Sequence, residues 1–367
     1  MPISLKPLAQ QRLVITGATS GIGLAIAEAA VEAGARVLLA ARNADALAEI
    51  KQRLDSRQLA DKVVTLAVDV ADPDYAERLV AEARTRFGGF DTWINDAAAA
   101  TFGTLAETPI EDHRRVFEVG YWGTVTGSLA ALAHLRAKSP NSGLNGGPNG
   151  SGAIINIGSV LSNRAMIQQG PYSAMKQAVK GFTDALRTEI MEAELPISVT
   201  LIKPAAMHTP YPDHARNRMD TPAKLPPVVY DPRLVARAVL FAAETPRREL
   251  TVGGFGAGAA LGDMLFPGLL DKALALFGTR VQQTDRETPP ETEDNLYEAR
   301  SDGNIENDEP QYVRRQSLWL EAQLRPLAAV GIAGAGLGLL VAGLAAARHR
   351  APDRAARRAR YFARYRK

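Results

Sequence analysis

Short apolar runs rich in Val and Ile alternate along this chain with longer amphipathic stretches. The runs Arg12–Thr16, Arg36–Ala40, Val63–Val68, Asp91–Asn95, Ala153–Ser159 and Ile197–Ile202 have the length of strands, and Glu249–Gly253 is a candidate seventh. The intervening stretches have the length and periodicity of helices. Strand and helix in strict alternation predict repeated βαβ units, and therefore an α/β fold with a Rossmann-type, doubly wound parallel sheet. Two local signals mark helix starts. Thr108-Pro109-Ile110-Glu111 combines a capping-box pattern with proline at the first helical position, and Gly170-Pro171 is placed to open another helix.

The alternation ends near residue 253, which divides the chain into a Rossmann-type domain (1–253), a variable segment with an acidic linker (254–310) and a C-terminal part (311–367). Within the domain, Ser139–Gly152 is nearly all Ser, Pro, Asn and Gly and reads as a flexible insertion. A helix-to-strand connection lies at the strand N-termini, whereas ligands bind beyond the strand C-termini, so the insertion belongs on the face away from chemistry. A Gly-rich, apolar segment runs on to Phe277. Asp285–Pro310 carries ten acids against two arginines and reads as a solvated linker. Gln311–Arg325 predicts an amphipathic helix, and Leu327–Ala347 contains no charge over 21 residues.

Composition narrows the function. With 367 residues and 46% apolar content the chain can bury one large core and still carry an appendage. It has no cysteine, which excludes disulfides, zinc-thiolate sites and cysteine nucleophiles. His113, His134, His208, His214 and His349 form no pair at metal-ligand spacing, so no metal site is expected. From Arg348 onward nine Arg or Lys face one acid, a net +8 against a total of +3, so the first 347 residues carry −5. The body has no basic footprint for nucleic acid. The start, MPISLKPLAQQRLVITG, lacks the apolar core of a signal peptide, and the expected location of the catalytic domain is the cytoplasm.

Candidate chemistry begins at LVITGATSGIGLAIAEAA, a strand, a glycine turn and a helix in succession. Gly17, Gly21 and Gly23 let backbone N–H groups of the turn, including those of Thr19, Ser20 and Ile22, approach a pyrophosphate at the positive end of the helix. At the end of the second strand stands Arg42 and no acid. An acid there favours NAD through the ribose hydroxyls, whereas an arginine can pair with the 2′-phosphate of NADP; the alternative is a solvated arginine beside the Asn43 helix cap. Tyr172 and Lys176, four apart after Gly170-Pro171, share one helix face. They are either an ordinary half-exposed pair or a pair in which the ammonium brings the phenol's pKa toward neutrality.

Taken together, TGATSGIG, Asp69-Val70 in LAVDVAD, Asn95 in WINDAAAA, Ser159, and Tyr172 with Lys176 resemble the short-chain dehydrogenase/reductase family from about Arg12 to about Gly253. The resemblance implies hydride transfer between nicotinamide and a carbonyl or alcohol, with NADP(H) favoured over NAD(H) by Arg42. It implies Tyr172 as general acid/base, Lys176 as the group that lowers the phenol's pKa and holds the nicotinamide ribose, and Ser159 as a hydrogen-bond donor to the substrate oxygen. Gly17, Thr19, Ser20, Gly21, Ile22, Gly23, Arg42, Asp69, Val70, Asn95 and Thr209 join Tyr172 and Lys176 as the expected cofactor contacts. Met207–Pro227 takes the place of the family's variable substrate loop.

Two departures stand out. Lys203-Pro204-Ala205-Ala206 replaces the family's Pro-Gly after the sixth strand, and Gly120, in FEVGYWG, stands where the family has an Asn that completes a catalytic tetrad. A water in the vacated volume would keep the proton relay; without it, the chain is a nucleotide-binding scaffold that has lost turnover. The C-terminal part raises a separate question. Leu327–Ala347 has the length of a membrane span, contains the Gly334/Gly338 pair, and is followed by the basic tail. A positive tail and a large unexported domain both favour the cytoplasmic side, which one simple span does not permit. A segment lying on an anionic membrane surface, a re-entrant segment, or a dry contact between copies of the chain are the alternatives.

Overall fold

The computed structural model describes residues 3–54, 62–138, 151–285, 293–300 and 303–331. Most of the Ser139–Gly152 insertion, part of the acidic stretch, residues 332–347 and the basic tail lie outside the described residues. The chain divides into two compact units, Met1–Leu320 and Glu321–Lys367.

The first unit is built on β1 (Arg12–Thr16), α1 (Gly21–Glu32), β2 (Arg36–Ala41), α2 (Ala44–Leu54), β3 (Val63–Ala67), α3 (Tyr75–Phe87), β4 (Thr92–Asn95) and a two-residue strand β5 (Thr101–Phe102). There follow α4 (Ile110–Phe117), a π turn (Glu118–Trp122), α5 (Gly123–Ala137), β6 (Gly152–Ile157), α6 (Gly170–Glu192) and β7 (Ile197–Pro204). A single turn α7 (Tyr211–His214), short strands β8 (Arg216–Asn217) and β9 (Val229–Tyr230), α8 (Arg233–Glu244) and β10 (Glu249–Val252) complete the region matched to strands and helices by sequence. Seven strands form one parallel sheet in the order β10-β7-β6-β4-β1-β2-β3. The reversal of direction after β3 makes it doubly wound, with its switch point between β1 and β4.

Strands β6 and β7 are buried at every position, as expected of parallel strands covered on two faces. Helix α1 packs on α8, while α3, α5 and α6 pack in turn on one another. Trp93, Tyr75 and Phe90, all fully buried, fill the centre of the core. Helix α6 opens as expected, with Pro171 in its first turn, where its missing N–H deprives no hydrogen bond. The start of α4 differs from expectation. Pro109 itself is the N-cap, and the Thr108 hydroxyl donates to the Thr104 carbonyl at 2.8 Å instead of capping the helix.

Beyond β10 lie α9 (Gly254–Leu265), α10 (Pro267–Phe277), β11 (Val313–Arg314) and α11 (Leu318–Leu324). The helix expected over Gln311–Arg325 is confined to α11, because β11 pairs in parallel with β9 and holds the preceding residues extended. Residues 293–300 are not a solvated linker throughout. Leu296 is fully buried in the main core, and Asp294 pairs with Arg216 at 2.8 Å, so part of the acidic charge is spent on the body of the domain.

Candidate active site

At the switch point, β1 runs into the glycine turn. Gly17 has φ +70°, and a Cβ there would lie 2.8 Å from the amide nitrogen of Ala97, so only glycine lets the turn pass the end of β4. A Cβ at Gly23 would lie 2.1 Å from the Gly17 carbonyl oxygen, which explains the third glycine as a packing requirement. Ser20 occupies the N-cap position of α1 without making a side-chain cap, so the helix's first amides are not taken by the usual internal acceptor. Thr19, Ser20, Gly21 and Ile22 line a cavity of about 300 Å³, and this cradle at the positive end of a helix fits a pyrophosphate. One amide of the turn is already committed: Gly21 donates to the Asn304 carbonyl at 2.8 Å.

The same cavity is walled by Ser159, Tyr172 and Lys176, brought there by the end of β6 and the first turns of α6. Ser159 caps the short turn Val160–Ser162, its oxygen accepting from the Leu161 amide at 3.1 Å, and its hydroxyl is hydrogen-bonded to the Tyr172 phenol. The Lys176 ammonium donates to the Ile157 carbonyl at 2.7 Å and lies 5.6 Å from the centre of the Tyr172 ring. Lys176 is buried, whereas Tyr172 is partly exposed where it lines the cavity. Yet burial, followed by the charge of Asp96, pushes the phenol well above its ordinary value, with only the Ser159 bond pulling it down. The Lys176 ammonium, directed at the Ile157 carbonyl, is not among the groups that pull the phenol down.

Asp96 is a site residue that the sequence reading missed. Its amide and that of Ala97 donate to the Thr16 hydroxyl at 3.1 and 3.3 Å, its carboxylate accepts the Gly23 amide, and it lines the cavity. Burial raises its pKa, opposed by the charge of Lys176. The only sequence signal was an acid directly after the strand-end Asn95. Asn95 itself turns away from the cavity. Its side chain accepts from the Trp93 indole at 2.7 Å and donates to Ser128 and Asn156 at 3.0 and 2.8 Å, tying β4 to α5 and β6.

The cavity is also lined by Arg42, Asp69 and Val70, which were expected as cofactor contacts, and by Asn43, Asn295, Ala299 and Arg300, which were not. Burial would push Asp69 up, but the Ala71 amide and Arg115 hold it below its ordinary value. Arg42 is half-buried: its guanidinium donates to the carbonyls of Asn295, Tyr297 and Glu298, and Asn43 donates to that of Arg300. At the substrate end, Thr209 sits against the glycine turn, and the loop after it is tied down by β5–β8 pairing and by the Arg218–Asp112 ion pair. Tyr211 from this loop packs on Tyr172, ring centres 5.3 Å apart, and donates to Gln169 at 2.7 Å.

Comparison with known proteins places this architecture. The profile of the short chain dehydrogenase family matches residues 11–220. The chain is 36% identical over 331 residues to the uncharacterized oxidoreductase YxnA of Bacillus subtilis (strain 168), covering 90% of each. Among solved structures it is similar to L-sorbose reductase from Gluconobacter frateurii complexed with NADPH and L-sorbose (TM-score 0.55, 25% identity, 69% of this chain and 97% of that one). It is also similar to a short-chain dehydrogenase from Streptomyces avermitilis (TM-score 0.57, 26% identity, 73% of this chain and 95% of that one). The chain belongs to the short-chain dehydrogenase family and is an oxidoreductase.

Proposed function

We propose that the protein transfers hydride between NADP(H) and a small carbonyl or alcohol substrate, with Tyr172 as general acid/base. The observation that carries this reading is the convergence of Tyr172, Ser159 and Lys176 on the same cavity as the glycine turn and Arg42. When bound, the nicotinamide supplies or accepts the hydride at the substrate carbon. Tyr172, kept as a phenol by burial, gives its proton to the substrate oxygen, and Ser159 donates a second hydrogen bond as charge develops there. Lys176, anchored to the Ile157 carbonyl, presents its remaining N–H groups to the nicotinamide ribose. Tyr211 and the loop that carries it cover the substrate side and exclude water from the reacting atoms.

Arg42 supports the choice of NADP(H), as does the NADPH bound to the sorbose reductase. A charge-assisted hydrogen bond contributes about 1.5–3 kcal/mol, so Arg42→Ala should weaken NADPH binding by about tenfold or more and leave NADH binding nearly unchanged. Titration of nicotinamide fluorescence measures both, and equal affinities in the unmutated protein would remove the basis for the preference. A screen of carbonyl and alcohol substrates by nicotinamide absorbance tests the reaction itself.

A membrane surface as partner rests on a different observation. Helices α9 and α10 are tied to Arg164 through Asp263 and Asp271, and expose Leu261, Met264, Phe266, Leu269, Leu276 and Phe277. This exposed apolar surface suits an apolar phase, and the net +8 tail suits anionic lipid. Among the described residues, no helix is long and apolar enough to cross a membrane. The full chain should co-sediment with phosphatidylglycerol-containing vesicles at low salt, and the double variant Phe266→Glu/Leu269→Glu should bind them less. Absence of co-sedimentation would exclude the lipid partner.

A further inference from the structure

The segment 293–300 crosses the adenosine end of the cavity as a strap with its own anchors. Leu296 is sunk in the core, and its carbonyl accepts from Arg115 Nε at 2.9 Å. Asp294 holds Arg216, the Asn295 amide donates to the His214 carbonyl at 2.9 Å, and the Arg300 guanidinium donates to the Asp213 carbonyl at 2.6 Å. The strap is thus fixed to α4 and to the substrate loop, and what it presents to Arg42 is main chain. Nη1 donates to the Tyr297 carbonyl at 3.1 Å, and Nη2 donates to the carbonyls of Asn295 and Glu298.

The character of those acceptors decides what Arg42 can do. Three carbonyl dipoles orient a guanidinium without cancelling its charge, whereas a carboxylate would have done both. The two nearby carboxylates are committed elsewhere, Asp69 to Arg115 and Asp294 to Arg216. Three of the five guanidinium N–H groups are directed at the strap, and the others have no acceptor among the hydrogen bonds of the described residues. A partly buried cation, held by neutral groups and lining a cavity, is an anion site in waiting. Arg300 lines the same end of the cavity and adds a second positive charge.

We propose that residues 293–300 are a specificity-determining strap whose main-chain carbonyls position Arg42 for the phosphate monoester on the adenosine ribose. The inference rests on the NADP(H) reading and adds that the preference belongs to Arg42 and the strap together, not to Arg42 alone. The strap's side chains need not touch the cofactor. Their work is to hold the carbonyls in register, with Leu296 and Asp294 as positioning residues. The opposite reading makes the strap a plug that competes with any dinucleotide for Arg42, and it predicts changes of the opposite sign.

The test uses Leu296→Ala and Asp294→Asn in the full chain, with NADPH and NADH titrated separately and thermal unfolding recorded alongside. Loosening the strap should weaken NADPH binding by about tenfold and leave NADH within about twofold, the ratio approaching that of Arg42→Ala. Added to Arg42→Ala, Leu296→Ala should bring no further loss of preference, because both act on one interaction. Should Leu296→Ala fail to fold, Asp294→Asn carries the test, since it keeps the size and shape of the side chain. Tighter binding of both cofactors in the loosened variants would establish the plug and overturn the proposal. An NADPH preference that both variants leave intact would overturn the strap's role while the NADP(H) reading stands. Equal affinities in the unmutated protein would remove both together.

Discussion

Replacing Tyr172 by phenylalanine is expected to lower turnover by about 10²–10⁴-fold, the range that a positioned general acid/base supplies. NADPH affinity should change little, because the ring, its packing against Tyr211 and the place of Lys176 beside it are all kept. The pH dependence follows from the sign of the shift. Burial raises the phenol's pKa, so the proton-bearing form needed for reduction is present throughout the neutral range. Reduction should therefore hold constant across neutrality in the unmutated protein, while oxidation, which needs the phenolate to accept a proton, should rise with pH on the alkaline side. Single-turnover rates of nicotinamide oxidation in both proteins separate the chemical step from binding. A Tyr172→Phe variant that reduces substrate at an unchanged rate would end the assignment of Tyr172.

Much of the frame was legible in the residues, for a physical reason. Parallel strands covered on two faces read as near-continuous apolar runs, and each of the seven predicted runs overlaps a strand of the sheet, with ends differing by two residues or fewer. Tyr172, Lys176, Ser159 and the glycine turn were legible because each carries a chemistry or a backbone freedom that few residues share. What was missed depends on direction and on main chain. Asn95 ends a strand, and nothing in its position tells whether the amide faces the cavity or the Ser128–Asn156 pair inside the body. The strap reads as solvated because acids dominate it; Leu296 is its one large aliphatic residue, and the strap's bonds to Arg42 are made by carbonyls that every residue possesses. Asp96 went unnoticed because its role comes from the Gly23 amide and the Lys176 charge, far apart in sequence.

Gly120→Asn, the change that restores the family's tetrad residue, is expected to destabilise the protein. Gly120 lies in the π turn between α4 and α5, and the water expected to fill the place of the missing amide is not what the structure puts there. A Cβ on Gly120 would lie 2.5 Å from both Sδ and Cε of Met175 and 2.9 Å from its Cγ, so the thioether fills that volume. Met175 is fully buried beside Lys176 in sequence but on another face of α6, and it can yield only by disturbing the core. Overpacking of this kind costs about 1–3 kcal/mol, more than the few tenths that leaving glycine gains in helix propensity. Met175→Ala alone should cost about 2–5 kcal/mol through the cavity it leaves. The double variant should lose less than the two single changes together, by about 0.5–3 kcal/mol, because the asparagine then occupies space that the methionine has vacated. Urea unfolding of the four proteins gives this coupling directly, and strict additivity would show that the two side chains do not share the volume. Turnover of the same set decides between enzyme and scaffold. If glycine and methionine are a matched pair in a working site, the unmutated protein should reduce a carbonyl substrate and the double variant should not exceed it greatly. A natural protein inert toward every carbonyl and alcohol tried, beside an active double variant, would instead mean that the Met175 thioether has displaced the proton relay and that this chain binds nucleotide without turning it over.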